Sequence, residues 1–233
     1  MFCIITLSYL TACNNMFLDL GANVGVNALF LYANNSYFHK SKGMRPLMDK
    51  VFGQSRKDVC YRGFEPNPLH RKRLESFENM HKKYNIKFFP YAVGVKNTTE
   101  TFYKKHDTYT NMVGFGKTYR LGYTPYNVSV INIANYITNN LHKQATVFVK
   151  MDIEGYEYEV LFYLITQGIL CEFVDYLSIE FHARYCNGPL CKLESDIKHI
   201  LAHLKYMKCN TVVKFMDDET YLRITEKDYN ILN

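Results

Sequence analysis

The sequence predicts an α/β fold: a doubly wound, mainly parallel sheet of seven strands, helices on both faces, closed by a C-terminal antiparallel hairpin. Three observations carry this. Short apolar, β-branched runs alternate along the chain with segments of helical period, and strands covered on both faces read as such unbroken apolar runs. Two of these runs, Met16–Leu20 and Thr146–Asp152, lead through glycine-bearing turns into helices. The chain ends on Thr211–Met216, the acidic turn Asp217-Asp218-Glu219 and Thr220–Ile224, the pattern of a hairpin.

Each element follows in order. Met16-Phe17-Leu18-Asp19-Leu20 is a short buried strand, and Val24 to Ala33 a helix with Val26, Leu29, Phe30 and Ala33 on one face. Residues 34–58 are polar, with Gly43, Pro46 and Gly53, and read as a loop-rich insertion with room for one short helix. Val59–Glu65 is the second strand. Asn67-Pro68 then opens a helix, because Asn caps and Pro suits the first turn; its buried stripe is Leu74, Phe77, Met80 and Tyr84. Ile86–Ala92 is the third strand. Thr99–Tyr103 and Asn111–Phe115 are short strands or a loop over the sheet edge, and Val130–Leu141 is a strand end plus helix. Thr146–Asp152 is the fourth core strand, followed by a helix that Gly168 terminates. Val174–His182 is the fifth, and Leu193–Met207 an amphipathic helix with Leu193, Ile197, Ile200, Leu201 and Leu204 inward.

The length of 233 residues suits one domain spanning 1–233, with an apolar N-terminal segment over 1–15. The net charge of +6 permits an anionic partner without requiring one. Its basic groups, His70-Arg71-Lys72-Arg73 and His81-Lys82-Lys83, read as the solvated face of one helix. Among seven cysteines, Cys60 and Cys171 lie in apolar runs and read as core thiols. Cys186 and Cys191 flank a turn; they could pair, or bind a metal with His182, but the spacing fits no zinc pattern and favours free thiols. No metal site is expected. The N-terminal apolar run is too short to span a bilayer and lacks a basic flank; it reads as a weak signal sequence, which leaves a secretory route open, or at least as readily as a helix or strand packing at the sheet edge. The sequons at Asn34, Asn97 and Asn127 are within chance for an Asn-rich chain, so a cytoplasmic location is expected.

Two turns carry chemistry. In Phe17–Gly25 a strand runs into Gly21-Ala22-Asn23-Val24-Gly25 and a helix, so backbone can approach a ligand closely while Asp19 waits at the strand end to accept from an ammonium. That combination suits an amino-acid-bearing nucleoside better than a pyrophosphate. Glu65, ending the second strand, is placed to accept from ribose hydroxyls; the insertion accounts for its distance beyond the usual spacing of about 20 residues. In the second turn Lys150, Asp152 and Glu154 fall on alternate residues, so three charges crowd one side of a strand's carboxyl end. Burying them is costly, which leaves a solvated strand end and an active site as the two readings of that stretch.

These segments, with Gly63-Phe64-Glu65-Pro66-Asn67, Tyr91-Ala92-Val93-Gly94, Val149–Gly155 and Ser178–His182, stand in the order that resembles FkbM-type methyltransferases, class I enzymes with a Rossmann-like fold that use S-adenosylmethionine (SAM). The similarity covers roughly residues 16–182. It implies that Asp19, Gly21, Ala22, Asn23 and Gly25 hold the methionine end of SAM, that Glu65 takes the ribose with Pro66 and Asn67 beside the adenosine, and that Tyr91 and Ala92 lie near the adenine. It implies O-methylation, with Asp152 first among the candidate catalytic groups, then Glu154, His182, Glu180 and Lys150. The acceptor implied is a hydroxyl on a small molecule, glycan or lipid-linked sugar. The short segment before the Gly-rich turn and the 34–58 insertion depart from the family, and both bear on acceptor binding.

Three other readings compete. RNA 2′-O-methylation draws on the net charge and on a loose Lys150/Asp152/Glu180 set, a less expected nucleic-acid partner. A non-catalytic SAM-binding or interaction domain would fill its acceptor pocket with Tyr and Phe. A nicotinamide-dependent oxidoreductase is disfavoured, because the turn lacks the spacing of G-x-G-x-x-G.

Overall fold

The computed structural model describes residues 13–33, 43–56, 58–105, 115–116, 122–186 and 188–216. Its strands, in chain order, are β1 (Asn15–Leu20), β2 (Val59–Phe64), β3 (Ile86–Phe89), β4 (Ala92–Gly94), β5 (Thr98–Lys105), β6 (Phe115–Gly116), β7 (Tyr123–Asn132), β8 (Thr146–Met151), β9 (Tyr176–Ile179) and β10 (Val212–Phe215). Its helices are α1 (Val26–Tyr32), α2 (Met44–Phe52), α3 (Arg71–Met80), α4 (Ile133–Asn140), α5 (Glu157–Thr166), α6 (Ile169–Phe173) and α7 (Glu194–Ala202).

The main sheet runs β10-β9-β8-β1-β2-β3, parallel throughout. Successive β1 side chains point to opposite faces. Met16, Leu18 and Leu20 enter a core built with Ile133 and Ile137 of α4, Leu161 and Leu164 of α5, Leu170 of α6 and Ile197 of α7. Phe17 enters the opposite core with Leu29 and Phe30 of α1, Met44 of α2 and Leu74 and Phe77 of α3. Helices therefore cover both faces, as the apolar runs predicted. The chain leaves β1 toward β2 on one side and reaches β8 on the other, so a crevice opens between the carboxyl ends of β1 and β8, where open sheets of this kind take ligands.

Two details depart from the sequence reading, at Ile86–Ala92 and at Asn67. Ile86–Ala92 is not one strand: the chain breaks at Pro90, which lacks an N–H for a ladder, and β4 pairs instead with β7 in a second sheet ordered β4-β7-β5-β6. The described part of the insertion, residues 43–56 and Asp58, holds the one short helix expected, α2. Within it, α2 is pinned to the C-terminal carbonyls of α1 by buried Arg45, which donates to Phe30 O (2.8 Å) and Ala33 O (2.6 Å). The first arm of the expected C-terminal hairpin is β10, which lies parallel to β9; the second arm, Thr220–Ile224, lies outside the described residues, as do residues 1–12 and Asn34. Asn67 does not cap α3. Its Oδ1 accepts from Leu69 N in a turn ahead of the helix, whose cap position is His70.

The cysteines are the largest correction. Cys60 is bonded to Cys13, Cys171 to Cys209, and Cys186 to Cys191, with Cα separations of 6.0, 4.8 and 5.9 Å. Cys60 is buried as its apolar surroundings predicted, but as a half-cystine; Cys171 is exposed, and its partner Cys209 is the buried member of that pair. Their partners lie 47 and 38 residues away, a distance across which spacing says nothing. The basic face of α3 is partly as read: Arg71, Lys72, Lys82 and Lys83 are exposed, whereas His70 and His81 are buried.

Candidate active site

The turn after β1 is shaped by two residues with left-handed backbone, Gly21 (φ 85°) and Asn23 (φ 49°), before Gly25 (φ 82°) hands the chain to α1. Gly21 and Ala22 both donate to Phe64 O at 3.0 Å, which ties the turn to the end of β2. Glu65, the next residue, reaches back: its Oε2 accepts from Asn23 N (2.7 Å) and its Oε1 from Asn67 N (2.8 Å). Glu65 N donates to Phe89 O, so Tyr91 and Ala92, just beyond, lie along the same edge. The structure thus brings Asp19, Gly21, Ala22, Asn23 and Gly25 together with Glu65, Pro66 and Asn67 on one side of the crevice. Burial pushes the Glu65 carboxyl up to about 8, against the pull of the two amides it accepts from.

Asp19 is wholly buried on the strand face that also carries Phe17. Its Oδ2 accepts from Tyr61 Oη (2.5 Å) and Asn27 Nδ2 (3.1 Å). Among the described residues its Oδ1 has no hydrogen-bond partner, and the buried Oδ1 atoms of Asn23 and Asn27 have none either. Burial raises the Asp19 carboxyl to about 6, with Lys150, Tyr61 and Asn27 moderating the rise. Three acceptors without a hydrogen bond among the described residues gather at this glycine turn, only Asp19 Oδ1 having a cation nearby, Lys150 Nζ at 3.9 Å, and they suit a donor-rich group.

The other wall comes from β8 and β9. Lys150 stands opposite Asp19 in the β1–β8 register and is buried. Its Nζ donates to Asp152 Oδ2 (2.7 Å) and lies 3.9 Å from Asp19 Oδ1. Asp152 and Glu180 follow the ends of neighbouring parallel strands, and His182 lies two residues on. The buried His182 ring has Nδ1 at 2.9 Å from Glu157 Oε1 and Nε2 at 3.2 Å from Glu180 Oε1 and 3.8 Å from Asp152 Oδ1. Burial opposes charge on this ring, but the hydrogen bonds to Glu157 and Glu180 outweigh it and raise the imidazole to about 11.

Of the five candidate catalytic groups, Lys150, Asp152, Glu180 and His182 therefore converge. Glu154 stands at the edge of this group: burial raises its carboxyl to about 7, and His182 and Asp152 are close enough to act on it. Its backbone turns left-handed (φ 55°) into Gly155 (φ 100°), and its side chain is exposed at the rim. Glu157, which carried no assigned role from sequence, is the buried anchor instead: it accepts from Ile153 N and Gly155 N, both at 2.8 Å, as well as holding His182. A carboxylate in the first turn of a helix suits the exposed N–H groups there, and that position was the available signal. Tyr61 and Asn27 were also missed, because their contacts to Asp19 cross to β2 and α1.

Residues 19–209, most of the chain, match the family described as Methyltransferase FkbM domain. Among solved structures, one of methyltransferase FkbM from Methylobacillus flagellatus KT is similar at 15% identity and a TM-score of 0.39, over 80% of this chain and 37% of that one. The chain spans well under half the length of that protein. No curated protein matches the chain.

Proposed function

The chain belongs to the FkbM methyltransferase family, and from that premise we propose that it transfers a methyl group from S-adenosylmethionine to a hydroxyl oxygen of a small molecule, a glycan or a lipid-linked sugar. The observation that carries this reading is the buried Asp19 Oδ1, without a hydrogen-bond partner among the described residues, beside the Gly21 turn with the Oδ1 atoms of Asn23 and Asn27. A ligand ammonium supplies the donors those oxygens lack. Glu65, already fixed by two amides, is then the acceptor for a ribose diol, and Tyr91 and Ala92 flank the base.

When bound, SAM supplies an electrophilic methyl: the acceptor oxygen forms a bond to carbon as the carbon–sulfur bond breaks and its electron pair goes to sulfur. The chain's contribution is placement and proton handling. Rate in such a displacement comes mainly from holding the oxygen in line. Asp152 is the group to receive the hydroxyl proton. Lys150 holds the carboxylate through Oδ2 and leaves Oδ1 turned toward the acceptor side. His182, gripped by Glu157, orients the same oxygen.

No helix among the described residues is long and apolar enough to cross a membrane. The expected cytoplasmic location sits poorly with the three disulfides, which persist in oxidising compartments. Part of the proposal is therefore that the protein works in such a compartment.

The test is incubation of the whole protein with methyl-labelled SAM and host-cell extract separated into glycan, lipid, metabolite and RNA pools. Label recovered as a methyl ether in the first three supports the reading. Label in RNA overturns the acceptor assignment, and failure to bind SAM by calorimetry overturns the cofactor.

A further inference from the structure

We propose that Asp152, Glu180 and His182 form a binding site for one divalent first-row transition cation, of the Mn2+ or Zn2+ kind, at the acceptor side of the crevice. One ligand atom from each residue lies within 4.8 Å of the other two. The placement is dictated by the sheet. β8 and β9 run parallel with Met151 opposite Ile179, so Asp152 and Glu180 emerge side by side, and His182 folds back over them. On an ion with bonds of about 2.1 Å, neighbouring ligand atoms lie about 3.0 Å apart. The Nε2–Glu180 separation of 3.2 Å nearly meets that already, and the 3.8 Å to Asp152 Oδ1 closes with a sub-ångström rotation.

The surroundings are built for a ligand histidine. Glu157 is fully buried, locked by Ile153 N and Gly155 N, and holds Nδ1 of His182 at 2.9 Å. A carboxylate on Nδ1 fixes the ring and its tautomer and presents the Nε2 lone pair to the other side, which is how metal-binding histidines are oriented. Here Nε2 faces two carboxylate oxygens. Three acceptors meet there, and something positive must lie between them: a proton on Nε2, or a cation in its place. Lys150 answers Asp152 through Oδ2, the oxygen on the far side from His182.

One imidazole and two carboxylates are ligands for Mn2+, Fe2+ or Zn2+ rather than for Ca2+, which takes oxygen alone. Asp152 and Glu180 keep 21% side-chain exposure, so the remaining coordination positions open toward the crevice. On the methyl-transfer reading, a hydroxyl bound there would be oriented and made more acidic; the binding claim itself does not depend on that reading.

The experiment uses tag-free whole protein, freed of metal with chelator, titrated with MnCl2 and separately with ZnCl2 by calorimetry, with Mn2+ signal by electron paramagnetic resonance. The expected result is about one ion per chain, with Glu180→Gln and His182→Gln each weakening it at least about tenfold and Glu157→Gln about tenfold through the lost orientation. Circular dichroism reports whether each variant is folded; Glu180→Gln, at the half-exposed strand end, decides the matter if His182→Gln does not fold. No uptake up to about 1 mM, or uptake unchanged in folded Glu180→Gln, overturns the site and leaves His182 as a salt-bridged imidazolium. A parallel SAM titration separates the two ideas: metal without SAM binding overturns the proposed function alone, and SAM without metal overturns this site alone.

Discussion

Gly21 and Asp152 touch across the crevice so closely that a Cβ on Gly21 would lie 1.8 Å from the carbonyl oxygen of Asp152. The turn that would hold the cofactor and the strand end that would hold the acceptor thus meet backbone to backbone. Asp152 N donates to Leu20 O (3.0 Å), so this contact is part of the sheet's own ladder. Gly21→Ala is expected to lower stability by about 2–4 kcal/mol, from a positive φ and a backbone collision that no side-chain rotation relieves. Gly168→Ala is the control: it also has positive φ (71°) but nothing within 4 Å of its Cβ. That change is expected to cost about 1 kcal/mol. Urea unfolding of both variants checks the difference, and equal losses would dissociate Gly21 from the Asp152 contact.

Asp19→Asn is expected to separate stability from binding. Burial raises the Asp19 carboxyl to about 6. Sign: above that pH the folded chain holds a charge that the unfolded chain solvates better, so the charge weakens the fold. The neutral amide removes this penalty, and unfolding at pH 8 should show equal or higher stability. SAM affinity should fall about 10- to 100-fold, the worth of a charge-assisted hydrogen bond. Calorimetry with unchanged affinity would remove Asp19 from the cofactor site.

Glu65 is expected to make SAM affinity depend on pH near 8. A ribose diol donates to the ionised carboxylate, so below about 8 binding must first remove a proton. Affinity should rise about tenfold per pH unit up to that point and level off above it. Between pH 7 and 8 this lies above the Asp19 range. Glu65→Gln should bind more weakly and lose the dependence in that window; titrations at several pH values decide it.

Thiol counting tests the cysteine arrangement. The six cysteines among the described residues are all paired, so denatured, unreduced protein should show at most one titratable thiol per chain, Cys3 lying outside those residues. Opening Cys171–Cys209, which closes a loop of 38 residues, should cost about 3–4 kcal/mol, and Cys186–Cys191, separated by 5, about 2 kcal/mol. Reversing that order would mean native strain, not loop entropy, dominates.

The candidate site was legible where its chemistry is local. Asp19–Gly25 announced itself through glycines behind an apolar strand, and Lys150 and Asp152 through their two-residue spacing. Glu154 shares that spacing but not the strand, which ends at Met151, and the chain turns left-handed at Glu154 itself. Ile86–Ala92 read as one strand because every residue but Pro90 suits one.

By itself the sequence determined which segments are strands and helices, the two turns that face each other, and the family's order of motifs, because period, glycine and proline act within a few residues. Only the tertiary structure decided that Cys171 meets Cys209, that Glu157 rather than Glu154 anchors His182, and that Asp152, Glu180 and His182 share one cluster. Those contacts join residues 25 or more apart or on separate strands. They depend on which strands adjoin and in what register, and that is settled by packing the two cores together rather than by any short stretch of chain.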